Sequence, residues 1–280
     1  MKKKLIIIGY PDKPGVPEVA RRLRGLLAKD FDIIGEDLTR CMDLEKIDAD
    51  LAVVIGGDGS ILATARRMRS RQIPILGVNK GKFGYLAAFH EEEMENIHAH
   101  LLNGNAVASE RMMLKCELVR NGSPVHETLA ANDVVVARTQ ARMIRIRLYI
   151  DAEYVATHHS DGIIVSTPTG STAYSLAAGG PILEPDIHAF LLTPICPHTL
   201  TNRPLVVSSD KTIEVEQIQA TAPAAVTIDG QVRYPIEPGD RVRVTQSPYF
   251  FKLIEVKTRS FIDTLREKFN WGGQTHDATE

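Results

Sequence analysis

Leu51-Ala-Val-Val-Ile-Gly-Gly-Asp-Gly-Ser60 is the stretch on which the fold reading turns. Leu51 to Ile55 is a continuous apolar run with two valines, the pattern of a parallel strand covered on both faces. Ile61 to Met68 then resumes helical spacing. Strand, tight turn and helix in that order make half of an α/β unit. They put Gly56-Gly-Asp-Gly59 at the carboxyl edge of a sheet, where open α/β folds bind ligands. Glycine permits positive φ and close backbone approach, and successive amides at a helix start form a nest for an anion. Asp58 is the odd element, because a carboxylate repels phosphate. It suits a group that accepts a proton from an attacking hydroxyl or helps to hold magnesium. A turn whose aspartate merely caps the next helix would explain the acid but not three glycines around it.

On either side of this stretch the first hundred residues keep alternating. Leu5 to Gly9, Phe31 to Ile34 and Ile73 to Val78 read as strands, and Pro17 to Leu27 carries Val19, Leu23, Leu26 and Leu27 at helical spacing. Glu91-Glu-Glu93 suits a helix start, where acids meet the positive dipole end. Near residue 110 the character changes. Ile144, Ile146, Leu148 and Ile150 share one face of a strand, and Arg145, Arg147 and Tyr149 the other. Ile213 to Val215, Ala225 to Ile228, Arg241 to Val244 and Phe250 to Val256 continue as strands, with turns at Asn121-Gly122, Asp229-Gly230 and Pro238-Gly239. Phe261, Leu265 and Phe269 then form the stripe of an amphipathic helix that packs back on the first part. The expected division is an α/β domain over 1–110, joined by the tail 257–280, and a mostly-β domain over 111–256.

With 280 residues the chain has length for about two domains, and its 33 basic and 35 acidic residues nearly cancel. That balance argues against a protein that coats nucleic acid or an anionic membrane. Cys41, Cys116 and Cys196 form no CxxC pair, so no zinc cluster or disulfide framework is expected, and a reducing cytoplasm is the simplest setting. The opening apolar run, Leu5 to Ile8, is too short for a signal core, and no segment approaches the ~20 apolar residues of a membrane helix.

A second unusual stretch runs from Ser160 to Gly180. Ile163 to Val165 reads as a strand, and Thr167-Pro-Thr-Gly-Ser-Thr172 as a hydroxyl-rich turn into a helix. Ser171 or Thr172 is its expected N-cap and Gly179 its C′ residue. Ala131-Asn-Asp-Val-Val-Val136 sets two polar side chains before an apolar strand. Asn132 can read donors and acceptors, and Asp133 can chelate two ribose hydroxyls, though Asn-Asp is also an ordinary turn pair. Arg138, Arg142, Arg145 and Arg147 make a basic strand edge, usually a solvated sheet face. His158 or His159 is placed to reach a ligand, whereas His98 and His100 read as surface residues.

Taken together, these residues resemble the NAD kinases. The anchors are Gly56-Gly-Asp-Gly59, Asn79-Lys-Gly-Lys-Phe-Gly-Tyr85, Asn132-Asp133, Ser160 to Gly180, Pro197-His-Thr-Leu200 with Arg203-Pro-Leu205, and Asp229-Gly-Gln231. The first of these alone is shared with diacylglycerol kinases and phosphofructokinases; the set in this order is specific. The resemblance implies an α/β N-terminal domain with a Rossmann-like, phosphofructokinase-like sheet, a mostly-β C-terminal domain that holds NAD, and a C-terminal helix returning to the first domain. It implies transfer of the ATP γ-phosphoryl to the 2′-hydroxyl of the adenosine ribose of NAD, giving NADP and ADP.

By the same resemblance Asp58 is the catalytic proton acceptor, with Gly59 beside it at the NAD. Asn132, Asp133, Arg142, His159 and Asp161 are contact positions. Thr172, Ala173, Tyr174, Ser175, Leu176 and Ala177 wrap the dinucleotide, with Tyr174 packing on a ring, and Gln231 completes the set. Mg2+ would arrive with ATP and not in a protein cage, and members are homodimers or homotetramers. The chain departs from many members in having Asn-Asp for Asn-Glu, Ala177 for serine, and a histidine at 159. Two other classes are weighed. A lipid or sugar kinase of the superfamily would replace Ser160 to Gly180, and a non-catalytic dinucleotide sensor could lose Asp58; both features are present.

Overall fold

The computed structural model describes residues 2–10, 15–80, 84–103, 106–199, 201–218, 222–256 and 260–271. Gly81, Lys82 and Phe83 of the Asn79–Tyr85 motif, Leu200, and residues 257–259 and 272–280 of the expected returning tail lie outside the described residues.

The first part alternates as β1 (Lys3–Gly9), α1 (Val16–Leu27), β2 (Phe31–Asp37), β3 (Leu51–Ile55), α2 (Asp58–Met68), β4 (Ile75–Asn79), β5 (Phe89–His90) and α3 (Met94–Leu102). Strands run parallel in the order β2-β1-β3-β4, with β5 pairing β4. Successive residues of β1 explain the unbroken apolar runs. Leu5 and Ile7 pack under α1 and α3, while Ile6 and Ile8 pack under α2 on the opposite face. Between β1 and β3 the chain changes direction across the sheet, and that switch point opens the crevice in which such folds take ligands.

The second part holds β6 (Ala106–Arg120), β7 (Ser123–Ala130), β8 (Asp133–Arg138), β9 (Ile144–Ile150), β10 (Glu153–Ser160), β11 (Gly162–Ser166), α4 (Tyr174–Ala177), β12 (Ala189–Ile195), β13 (Leu205–Ser208), β14 (Ile213–Gln217), β15 (Ala224–Ile228), β16 (Val232–Ile236) and β17 (Arg241–Val256), followed by α5 (Phe261–Phe269). An antiparallel sheet of order β13-β12-β11-β8-β15-β16 packs face to face on a second sheet that includes β9, β14, β17 and β6. Leu114, Val134, Ile146, Val165, Phe190, Val226 and Val244 meet in the core between them.

The two strands expected at Arg241 to Val244 and Phe250 to Val256 are one. β17 follows β6 throughout, with its register broken only between Gln246 and Phe250, and reaches β4 through Leu253 opposite Ile75. Among the described residues eleven strands therefore form one continuous sheet across both parts of the chain. α5 returns to the first part. Ser260 and Asp263 cap it reciprocally, the Asp263 amide donating to Ser260 Oγ at 3.0 Å and the Ser260 amide to Asp263 Oδ2 at 3.0 Å. Leu265 is buried, and Lys268 Nζ lies 5.7 Å from the centre of the Tyr85 ring.

Two sequence expectations are met only in part here. The helix after Thr169 is a 3-10 turn over Thr169–Thr172 and then the single turn of α4. Gly179, at φ 89° just past the C-cap Ala178, is the C′ residue expected. Gly180 packs where a Cβ would lie 2.3 Å from Ser175 Oγ, so the chain turns away at once. His98 and His100 are not free surface residues: His98 Nε2 bonds Asp30, and the His100 ring sits 5.4 Å from Phe89.

Candidate active site

Asp58 is the first residue of α2, and its side chain does not cap that helix. Its Oδ2 accepts the Tyr85 amide at 2.7 Å and its Oδ1 the Leu86 amide at 3.1 Å. Gly84 comes so close that a Cβ there would lie 2.0 Å from Asp58 Oδ1. The carboxylate is thus oriented by the loop after β4, not spent on its own helix start, which removes the simple cap as an explanation. Two of its roughly four lone-pair sites remain for a hydroxyl. Burial, and then the Asp58 charge, push the Tyr85 phenol upward.

The turn 131–133 is gripped from two sides. Thr167 Oγ1 donates to the Ala131 carbonyl at 2.7 Å and accepts the Gly170 amide at 3.0 Å, while the Thr167 amide donates to the Asn132 carbonyl at 2.8 Å. Gly170 is needed for this approach, since a Cβ would stand 2.2 Å from the Asn132 carbonyl oxygen. From the other side the Asp229 carboxylate accepts the amides of Ala131, Asn132 and Asp133 at 3.1, 2.7 and 3.1 Å.

The hydroxyls of the 167–175 stretch therefore face inward more than the sequence implied. Neither Ser171 nor Thr172 is an N-cap. Ser171 Oγ accepts the Leu183 amide at 3.0 Å, and Thr172 Oγ1 donates to the Thr169 carbonyl at 3.3 Å. The Ser175 hydroxyl lies in the core, 2.7 Å from Thr193 Oγ1. In each case the hydroxyl takes a nearby backbone or side-chain partner, and for the buried Ser171 and Ser175 an unpaired hydroxyl would be costly.

Asn132, Asp133, Arg138, Ala173, Tyr174, Asp229 and Arg233 line one groove. Tyr174 is half exposed over it, and Asn132 Oδ1 is buried there without a partner. Burial first, and the neighbouring Asp229 second, push the Asp133 carboxyl up to about 7. Arg138 forks onto Asp161, with Nε to Oδ1 at 2.5 Å and Nη2 to Oδ2 at 3.0 Å, which raises the guanidinium further. A second pocket lies at the switch point, lined by Tyr10, Arg40, Gly57, Gly59, Ser60, Arg66 and Arg67. It joins the start of α2 to Arg40 and Arg67, a setting for a polyanion, with Arg66 turned toward Asp229 and Gln231. A third cleft passes from Tyr85 and Leu86 along Thr169 and Thr172 to Phe261 of α5.

The structure brings Asp58, Gly59 and Gln231 together, since Gln231 Nε2 donates to the Gly59 carbonyl at 2.7 Å. It gathers Asn132, Asp133, Ala173 and Tyr174 at the first groove, with Asp161 behind Arg138. Leu176 and Ala177 finish the turn of α4. Arg142 and His159 are exposed and are not among the residues that line this groove. Arg142 stands on the turn after β8, while His159 lies on β10 opposite Arg145 of β9. His158 is buried, its Nδ1 3.1 Å from Asn202 Nδ2, and burial lowers its pKa. Sequence reasoning missed Arg66, and it gave Asp229, Tyr85 and Leu86 no individual role. Asp229, Tyr85 and Leu86 lay in or beside quoted motifs, whereas nothing local marks Arg66. Among the described residues no group of three or more His, Cys, Asp or Glu side chains is placed to hold a metal ion.

A family model described as the ATP-NAD kinase N-terminal domain matches residues 6–106, and one described as the ATP-NAD kinase C-terminal domain matches residues 131–256. The chain is 36% identical over 272 residues to the NAD kinase of Rhodopirellula baltica, covering 97% of this chain and 88% of the relative. It is 41% identical over 272 residues to the NAD kinase of Heliobacterium modesticaldum, covering 93% and 96%. An NAD kinase from Archaeoglobus fulgidus, solved in complex with ATP, superposes with a TM-score of 0.76 at 26% identity over 95% of this chain and 98% of that one. Yeast NADH kinase complexed with NADH shares the fold, with a TM-score of 0.87 at 24% identity over 98% and 89%.

Proposed function

The chain belongs to the ATP-NAD kinase family, and from that premise we propose that it is an ATP-dependent NAD kinase with Asp58 as its base. The 2′-hydroxyl of the adenosine ribose of NAD attacks the γ-phosphorus of ATP. The new O–P bond forms as the bond from the γ-phosphorus to the β,γ-bridging oxygen breaks, and ADP leaves. Asp58 takes the hydroxyl proton through the lone pairs that Tyr85 and Leu86 leave open. The groove with Asn132, Asp133 and Tyr174 holds the NAD: Asp133 faces ribose hydroxyls, the unpartnered Asn132 Oδ1 takes a donor, and Tyr174 packs on a ring. The arginine-lined pocket at the start of α2 takes the triphosphate. Magnesium enters as part of the nucleotide substrate.

In a loose phosphoryl-transfer transition state the protein mainly positions groups and neutralises charge. Orientation supplies up to ~7–11 kcal/mol, and a placed base roughly 10²–10⁴-fold. Geometry therefore carries most of the acceleration. In this reading residues 1–110 with 257–280 bring the donor, and 111–256 hold the acceptor. Arg142, His159, Asp161 and the Thr172–Ala177 segment complete the dinucleotide site. The exposed Arg142 and His159, outside the groove of their own chain, support contribution from a neighbouring subunit of a homodimer or homotetramer. Three cysteines, all free of disulfides, suit a reducing cytoplasm.

The observation that carries the reading is the tethering of Asp58 by two amides at the same edge of the sheet that Gln231 and Gly59 join to the dinucleotide groove. The test is formation of NADP from NAD and MgATP by the purified protein, with NADH and other triphosphates as parallel arms. Turnover with NAD and ATP is expected, and its absence would refute the assignment.

A further inference from the structure

Arg66 and Asp229 border the two pockets but are assigned no step in the transfer above, and their side chains are only 10% and 0% exposed. Arg66 stands seven residues after Gly59 on α2, a spacing that returns to the same helix face. Long side chains on helices run back toward the N-terminus, which brings its guanidinium to two acceptors. Nη1 donates to Asp229 Oδ2 at 2.7 Å and Nη2 to Gln231 Oε1 at 2.5 Å. Gln231 in turn donates to the Gly59 carbonyl at 2.7 Å, which closes a ring on α2. On its far side Asp229 collects the three amides of residues 131–133, from a left-handed backbone at φ 47°.

The links made by Arg66 and Asp229 are charge-assisted, the one from Gln231 to Gly59 is a neutral exposed bond, and together they run from the residue beside the acid to the pair that lines the dinucleotide groove. A buried ion pair is weak evidence for stability, since apolar packing of equal volume does as well. The directional hydrogen bonds of this pair also link the two turns to each other. Arg66 Nη1 and Nη2 each donate to a protein acceptor and its side chain is only 10% exposed, which favours action through these partners over contact with a phosphate.

We infer that Arg66 and Asp229 are positioning residues of the phosphoryl transfer, a strut that sets the Asp58–Gly59 turn against the Asn132–Asp133 turn. The inference rests on the NAD kinase reading of this site. Its test compares full-length wild type, Arg66→Met and Arg66→Lys in steady-state NADP formation with both substrates varied, alongside NAD affinity by calorimetry and thermal unfolding. For Arg66→Met kcat should fall roughly 10–100-fold, the scale of an ~1 Å misplacement. The KM for ATP and the Kd for NAD should stay within about threefold, under 1 kcal/mol. Arg66→Lys, which restores one of the two contacts, should recover part of the loss.

Because Arg66→Met leaves Asp229 without its cation, Arg66→Met/Asp229→Asn removes both charges and should show the same kcat loss. A raised KM for ATP with kcat preserved would mean direct phosphate contact and overturn the inference. A lower melting temperature with kcat per folded enzyme preserved would mean a purely structural role and overturn it equally. A wild type that makes no NADP at all would overturn the underlying reading instead, and is seen before any variant is compared.

Discussion

The Asp229 amide donates to the Asp133 carbonyl at 2.9 Å, and the Asp229 carboxylate accepts the Asp133 amide at 3.1 Å. This reciprocal pair extends the β8–β15 ladder by one step, and it leaves two acids side by side on the floor of the groove. Burial first, and this neighbouring acid second, push the Asp133 carboxyl up to about 7.

Asp133 starts from an ordinary value of 3.8 and is pushed up to about 7. Between those values the folded chain keeps a proton that the unfolded chain has released. Stability therefore falls as pH rises through that window. The contribution is whole below pH ~4 and gone above ~8, with an upper size of about 4 kcal/mol. Asp133→Asn, which does not titrate, should gain stability over wild type between pH 5 and pH 8. Urea midpoints at the two pH values measure it; a difference independent of pH would sink the account.

Asp58→Asn leaves one oxygen for the Tyr85 or Leu86 amide and turns an NH2 group toward the other. NAD should still bind within about threefold, while kcat falls at least ~10²-fold through loss of the base. Calorimetry beside steady-state kinetics separates the two. Equal losses in binding and turnover would count against proton transfer to this residue.

Gly170→Ala places a methyl 2.2 Å from the Asn132 carbonyl oxygen and 2.6 Å from its carbon. Both are backbone atoms held by Thr167, so they cannot swing aside. A cost of about 1–3 kcal/mol is expected from overpacking, with a higher KM for NAD because Asn132 must move. Denaturation and kinetics unchanged from wild type would contradict this packing.

Tyr174 is 47% exposed, so its truncation should leave folding nearly untouched, within about 0.5 kcal/mol. Its proposed ring contact with the dinucleotide is of the order of 0.5–1.5 kcal/mol. Tyr174→Ala should therefore raise the KM for NAD about 3–10-fold at unchanged melting temperature. An unchanged KM would remove the ring from the site.

Local pattern was enough for much of this molecule. The apolar run Leu51–Ile55 is a strand buried on both faces, and the alternation from Ile144 to Ile150 is a strand buried on one. Asn121-Gly122 and Asp229-Gly230 take positive φ as turn residues, and Gly56-Gly57 joins the strand to a helix that opens on Asp58 and Gly59. These features depend on neighbours a few residues away, which composition and spacing report directly. Tertiary structure alone decided that β17 joins both parts into one sheet and that the hydroxyls of Thr167, Ser171 and Ser175 turn inward. It also decided that Asp58 is oriented by amides 27 and 28 residues further on, and that Arg66 meets an acid 163 residues away. Such pairings follow from the register of strands and the docking of a helix across the whole chain. A guanidinium carries no local mark of the carboxylate it will find.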